Sequence, residues 1–201
     1  MASSNSEPKV IELRPRAAER PVSDEALIVA CGLGDESALV QLFERHKEFV
    51  HRYLYRFFPR DPEYVEDLVQ STFLEVWRCA PRFRNGSAGR TFIVGIATNL
   101  SRMRRRGEAR RRRAMDALAA EPQRAGTTPE ERAVVGQRVR RLEAAIATLS
   151  EKQREVFVLC DLEGFSGGEA AETLGIRPGA VWRRLHDARK KLRAALREDE
   201  R

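Results

Sequence analysis

Histidine and cysteine are scarce, with three of each in 201 residues. His46 and His51 stand five apart, not the four that would put two imidazoles on one helix face, and no HExxH occurs. No metal site is expected, and no cofactor. Gly-rich phosphate loops and serine nucleophile elbows are missing as well. The nearest imitation, GFSGG at 164–168, places its glycines at a helix start. The sequence therefore reads as a protein that is not an enzyme. Cys31, Cys79 and Cys160 are odd in number and contain no CxxC pair. They fit a reducing compartment and small apolar packing better than disulfides or zinc. Long hydrophobic runs are also lacking. The first residues form no apolar stretch of signal-peptide length, and the longest run, FIVGIA at 92–97, is far too short to cross a bilayer. The expected location is the cytoplasm. Neither repeats nor strand-type alternation appear.

What the chain has is charge and helical period. Thirty-seven Lys and Arg oppose 30 Asp and Glu, a net +7, so an anionic partner is favoured. Residues 1–22 read as a flexible tail, polar and without an apolar period. Ser23 offers a helix cap, and GDESALVQLFERH (34–46) offers another. The second helix carries Leu39, Leu42, Phe43, Val50, Leu54 and Phe57, with Pro59 and Pro62 ending it. The cleanest period follows: Val65, Leu68, Val69, Thr72, Phe73, Val76 and Trp77 form one apolar face. Glu66, Asp67, Gln70 and Glu75 lie opposite. PRFRNGSAG (81–89) then reads as a loop. A fourth helix starts near Arg90 and runs into SRMRRRGEARRRR (101–113), with eight arginines and one acid. It presents Thr98 and Asn99 as polar groups for bases, beside Phe83 and Phe92 for stacking.

From 114 to 136 the composition shifts to Ala, Pro, Glu and Thr, the mark of a linker. Helical period returns at Val139, Leu142, Ile146 and Leu149 and continues to the end. The expected fold is all-α: a helical domain over 23–113 and a helix-turn-helix domain over 137–201, joined by a flexible linker. In SGGEAAETLGIRPGAVWRRL (166–185), Ala171 is the small inter-helix contact and Gly175 the turn. Leu174, Ile176, Val181 and Leu185 are the anchors, and Ser166 with Glu169 forms a capping box. The plain alternative is a helical hairpin with a solvated basic face. Small residue, turn glycine and anchors together favour nucleic acid.

With those residues placed, a resemblance becomes visible. From Asp24 to Leu196 the chain resembles a bacterial RNA polymerase sigma factor of the extracytoplasmic-function class, within the sigma-70 family. GDESALVQLFERH, EDLVQSTFLEVWR (66–78), FRNGSAGRTFIVGIATNL (83–100), residues 141–176 and PGAVWRRLHDARKKLRAAL (178–196) carry it, in order and at the expected spacing. It implies promoter recognition and melting for core RNA polymerase, with partners at the β′ clamp helices and β flap. Asp67, Gln70, Glu75, Leu68 and Phe73 are the implied polymerase contacts. Phe83, Asn85, Phe92, Asn99, Arg102, Arg105 and Arg106 would meet the minus-ten element, Asn85 reading a flipped base in a loop that Gly86 and Gly89 allow to turn tightly. The arginines would hold phosphates. Arg177, Ala180, Trp182, Arg183, Arg184, His186 and Lys190 would meet the minus-thirty-five duplex, Arg183 foremost as a guanine reader. The linker would thread toward the polymerase cleft, with Glu121, Glu130 and Glu131 imitating RNA charge.

Four positions depart from the family's habit. Phe92 stands where Trp is common, Met103 where Asp is, and Trp182 and Asp187 where basic residues are. With only REDER after the last helix, control by an external anti-sigma factor is implied. Two rivals remain: a conventional helix-turn-helix regulator binding duplex DNA without polymerase, and a basic RNA-binding protein. Neither uses both lobes.

Overall fold

The computed structural model describes residues 22–59, 61–84, 86–116, 142 and 144–198. Among these, all regular structure is helical, in two lobes. The first begins with α1 (Asp24–Gly32), capped by the Ser23 hydroxyl, which accepts from the Ala26 amide. α2 (Glu36–Tyr55) starts at Asp35, whose carboxylate accepts from Ser37 and Ala38. It stops at Tyr55, before either proline. Pro62 does not end this helix; it opens α3 (Pro62–Cys79), where a fixed φ and a missing N–H cost nothing. A 3₁₀ turn over Ala80–Arg82 leads to α4 (Gly89–Asp116).

The expected apolar faces meet in one core. Leu42, Val50, Leu54, Val65, Val76, Ile93 and Val94 have no solvent exposure. Tyr53 is equally buried. Thr98 Oγ1 donates to the Val94 carbonyl at 2.7 Å, so its 2.8 Å contact with Tyr53 takes the phenol as donor. Burial pushes the Tyr53 phenol far above its usual pKa, with the Thr98 contact opposing. Thr98 is thereby removed from the residues expected to touch bases: it is a core hydrogen-bonding group.

The second lobe contains a helical turn at 144–147, α5 (Glu151–Phe157), a π-helical segment (Val158–Leu162), α6 (Gly167–Leu174) and α7 (Pro178–Glu198). Ser150 with Gln153 caps α5 by a capping box, and Ser166 with Glu169 caps α6 in the same way. Gly175 closes α6 in the left-handed region at φ 64°. Ala171, Leu174, Val181 and Leu185 are buried and Ile176 half-buried, so the helix-turn-helix packs through the residues the sequence singled out. α4 runs three residues into the stretch assigned to the linker. The rest of that linker, with Glu121, Glu130 and Glu131, lies outside the described residues, as do residues 1–21. No helix among those described is long and apolar enough to cross a membrane.

α6 packs across α4, so the lobes share a seam. Phe49 stacks on Phe165 with centroids 6.3 Å apart. Arg90 lies against both rings, 4.2 and 4.5 Å from their centroids, and donates to the Glu163 carbonyl at 2.8 Å.

Candidate nucleic-acid interface

Three surfaces carry the residues that sequence reasoning selected. The first is the outer face of α2 and α3. Asp67 and Gln70 are exposed and Glu75 half-exposed, while Leu68 and Phe73 are 6% and 3% exposed. Those two shape the face from beneath instead of meeting a partner there. Phe73 sits edge-on to Phe43 at 5.0 Å. What the sequence reading missed is apolar: Val40 and Leu74 are each 61% exposed and flank Gln70 across a shallow groove lined by Leu39, Phe43 and Phe73. Leu74 stands off the period set by Phe73, Val76 and Trp77. An aliphatic residue breaking a clean stripe was the available signal.

The second surface surrounds the start of α4. Phe83 and Phe92 pair edge-to-face at 5.0 Å and are half-buried, forming one aromatic wall. Asn85 lies outside the described residues. Gly86 has φ 145°, a conformation that side chains rarely adopt. Gly89 is required for a different reason from the expected tight turn: a Cβ there would sit 2.5 Å from the Asp24 Cβ. Asn99, Arg106 and Met103 are exposed further along the helix.

Arg102 and Arg105 are not free. Arg102 grips the Glu155 carboxylate with two contacts, 2.9 Å from Nε and 2.7 Å from Nη2, and its Nη1 is 3.5 Å from the Leu174 carbonyl. Arg105 Nη2 adds a third contact at 2.9 Å. The Glu155 side chain is 3% exposed. The hydrogen bond to Glu155 raises the Arg102 pKa above its usual value, outweighing desolvation. A third cation is close: burial, then the charge of Arg105, lowers the Arg154 pKa. At the other end of the seam, Glu163, 2% exposed in its side chain, takes Arg52 at 3.0 Å. That hydrogen bond raises the Arg52 pKa, again against desolvation.

The third surface is α7. Val181, Leu185, Ala188 and Leu192 face the core. Arg177, Trp182, Arg183, His186 and Lys190 are exposed, and Ala180 and Arg184 half-buried. Trp182, 57% exposed, leans over the first residue of α6: a Cβ on Gly167 would lie 2.7 Å from its Cζ2. Arg189 is fixed by Asp161 through contacts of 2.9 and 2.6 Å. With Leu185, His186, Lys190 and Arg193 they line an open groove of ≈ 620 Å³. Among the described residues, no group of three or more His, Cys, Asp or Glu is arranged to hold a metal ion.

Comparison with known proteins follows the same division. The model of Sigma-70 region 2 matches residues 42–111, and that of Sigma-70, region 4 matches residues 139–192. The ECF RNA polymerase sigma factor SigE of Mycolicibacterium smegmatis is 33% identical over 171 residues, 81% of this chain. The chain spans 64% of that relative's length. RNA polymerase sigma factor CarQ of Myxococcus xanthus is 35% identical over 168 residues, 82% of this chain and 92% of CarQ. Among solved structures, CnrH in complex with the cytosolic domain of CnrY aligns with TM-score 0.64 at 27% identity, covering 88% of this chain and 98% of CnrH.

Proposed function

The chain belongs to the ECF sigma factors of the sigma-70 family, and from that premise we propose that it binds core RNA polymerase and directs promoter recognition, melting and initiation. One observation carries the reading: a single chain joins an apolar, acid-rimmed docking face on α2 and α3 to an arginine-rich α4 and a helix-turn-helix. A duplex-binding regulator needs only the last of these. Chemistry belongs to the polymerase in this reading, and the protein works in the cytoplasm.

The proposed polymerase face is Asp67, Gln70 and Glu75, with Val40 and Leu74 supplying apolar contact. The wall of Phe83 and Phe92 borders the pocket for an extruded minus-ten base, whose unstacking costs a few kcal/mol. Asn99 and Arg106 flank that strand, and Arg102 and Arg105 join them once freed. On α7, Arg183 reads guanine in the major groove, while Trp182 offers a flat apolar edge to a thymine methyl. Control by an anti-sigma factor on the α2–α3 face completes the proposal; CnrH, which this chain resembles, is solved in complex with the cytosolic domain of CnrY.

Parallel titrations at near-physiological salt against core polymerase and against free promoter-sized duplex test it. Tight polymerase binding with weak duplex binding is expected, and Asp67→Arg or Leu74→Arg should each weaken the polymerase arm at least tenfold. Sequence-selective duplex binding with no affinity for polymerase would replace this reading with that of an ordinary regulator.

A further inference from the structure

The seam between the lobes places a carboxylate where the proposed function needs a phosphate. Arg102 and Arg105 make three short contacts to Glu155, all from α4 of the first lobe to α5 of the second. A phosphodiester oxygen pair presents guanidinium forks with much the same geometry and charge as a carboxylate. One arginine pair cannot grip both.

We propose that Glu155 is an internal stand-in for promoter phosphate: it occupies Arg102 and Arg105 in the free chain, and nucleic acid entering that site must displace it and part the lobes. This rests on the sigma-factor reading of α4 but concerns how the site is kept closed, and by what.

Three further observations fit. The first is charge balance. Glu155 faces Arg102 and Arg105, and the half-buried Arg154 adds a third positive charge near Arg105; the other acid near Arg105, Glu151, is 3.8 Å away and largely exposed. A cluster short of negative charge favours an incoming polyanion. The second is the cost of burial. A charge pair this desolvated gains little net energy, because lost hydration offsets most of the attraction, so the contact selects a geometry without locking it. The third is reach. The minus-ten and minus-thirty-five elements, by their names, lie about 25 base pairs apart, roughly 85 Å along B-DNA at 3.4 Å per step. Lobes in direct contact do not span that. Residues 117–141 number 25, and at about 3.3–3.6 Å per residue they reach roughly 80–90 Å when fully extended. Chain length permits the open form; the seam excludes it. Closure is also one-sided, since Trp182, Arg183, His186 and Lys190 stay exposed while the α4 pair is covered.

The probe is a fluorescent random-sequence single strand of roughly 30 nucleotides, longer than the ~4–16 that one such site covers. Its binding to the full chain is followed by anisotropy, with small-angle X-ray scattering on the same samples. If the latch holds about nine-tenths of molecules closed, apparent affinity is reduced about tenfold. Glu155→Gln keeps the shape and removes the charge, so it should bind about tenfold more tightly and show a larger radius of gyration without DNA. Wild-type protein saturated with the strand should expand to a similar radius, a test that needs no variant to fold. Unchanged affinity in a folded Glu155→Gln chain, or a wild-type complex that stays compact when saturated, overturns the proposal. Core-polymerase affinity, measured alongside, separates the two ideas. A chain that opens on DNA but ignores polymerase keeps the latch and loses the sigma-factor reading. One that binds polymerase normally but never opens on DNA does the reverse.

Discussion

Glu25 lies 64 positions before Gly89, yet its carboxylate accepts that residue's amide hydrogen at 2.7 Å. It caps α4 from another helix, in a place where Ala88 has no side chain to do so. This bond comes first among the causes that lower the Glu25 pKa from its ordinary 4.5. A carboxylate whose folded pKa is depressed adds stability that is present above the unfolded value and is lost as pH falls through the folded one. Glu25→Gln removes that increment. Urea unfolding of the two proteins should therefore differ at pH 6 and converge at pH 3; curves separated equally at both values would refute the capping role. The same corner contains Gly89. Alanine there must displace the Asp24 backbone and Cβ, which are not the loose end of a side chain. Gly89→Ala is expected to cost about 1–3 kcal/mol as an overpacked contact, read from the urea midpoint at constant slope.

At the level of elements, α6 and α7 show how one position can tune recognition without threatening the fold. At Gly167 the obstacle to a Cβ is the indole of Trp182, an exposed ring able to swing aside. Gly167→Ala should leave stability within about 0.5 kcal/mol, as exposed substitutions generally do, while moving the ring over the groove. Its signature is an altered base preference at the minus-thirty-five element, read by selecting promoters from a randomised library with polymerase present. An unchanged preference would make the stacking ornamental. Elements of this kind were legible in the sequence because their causes are local. Ser23, Asp35 and Ser166 announce helix starts, Gly175 announces a stop, and the period of Val65 to Val76 gives the buried face directly. The π-helical turns at Val158–Leu162 had no such cause: their apolar residues fit an ordinary helix equally well, and only packing in the second lobe shifts the bonding. Leu68 and Phe73 were placed on the partner face because a motif names a helix as a whole. Burial is what divides that helix between core and surface.

For the whole molecule, the decisive contacts join residues 50 to 111 positions apart. Arg102 and Arg105 sit among other arginines, and Arg52 and Arg90 read as ordinary exposed charges, so nothing local marks which of them reach across the seam. Glu155 and Glu163 read equally well as solvated charges. The helices were therefore visible beforehand and the seam was not. Arg90 is the best place to measure what the seam contributes. Its guanidinium lies against both Phe49 and Phe165 and donates to the Glu163 carbonyl. A desolvated cation–π contact is worth about 2 kcal/mol, and a charged hydrogen bond about 1.5–3 kcal/mol. These overlap in one side chain, so roughly 2–4 kcal/mol of coupling between the lobes is the reasonable expectation. The described second lobe spans roughly 60 residues, a size at which an isolated domain is marginal, and it leans on the first. Wild-type protein should melt in one calorimetric transition, with agreement between the measured and van't Hoff enthalpies. Arg90→Ala should split it, the second lobe unfolding several degrees below the first. A single endotherm at an unchanged temperature would mean that the coupling between the lobes does not run through Arg90.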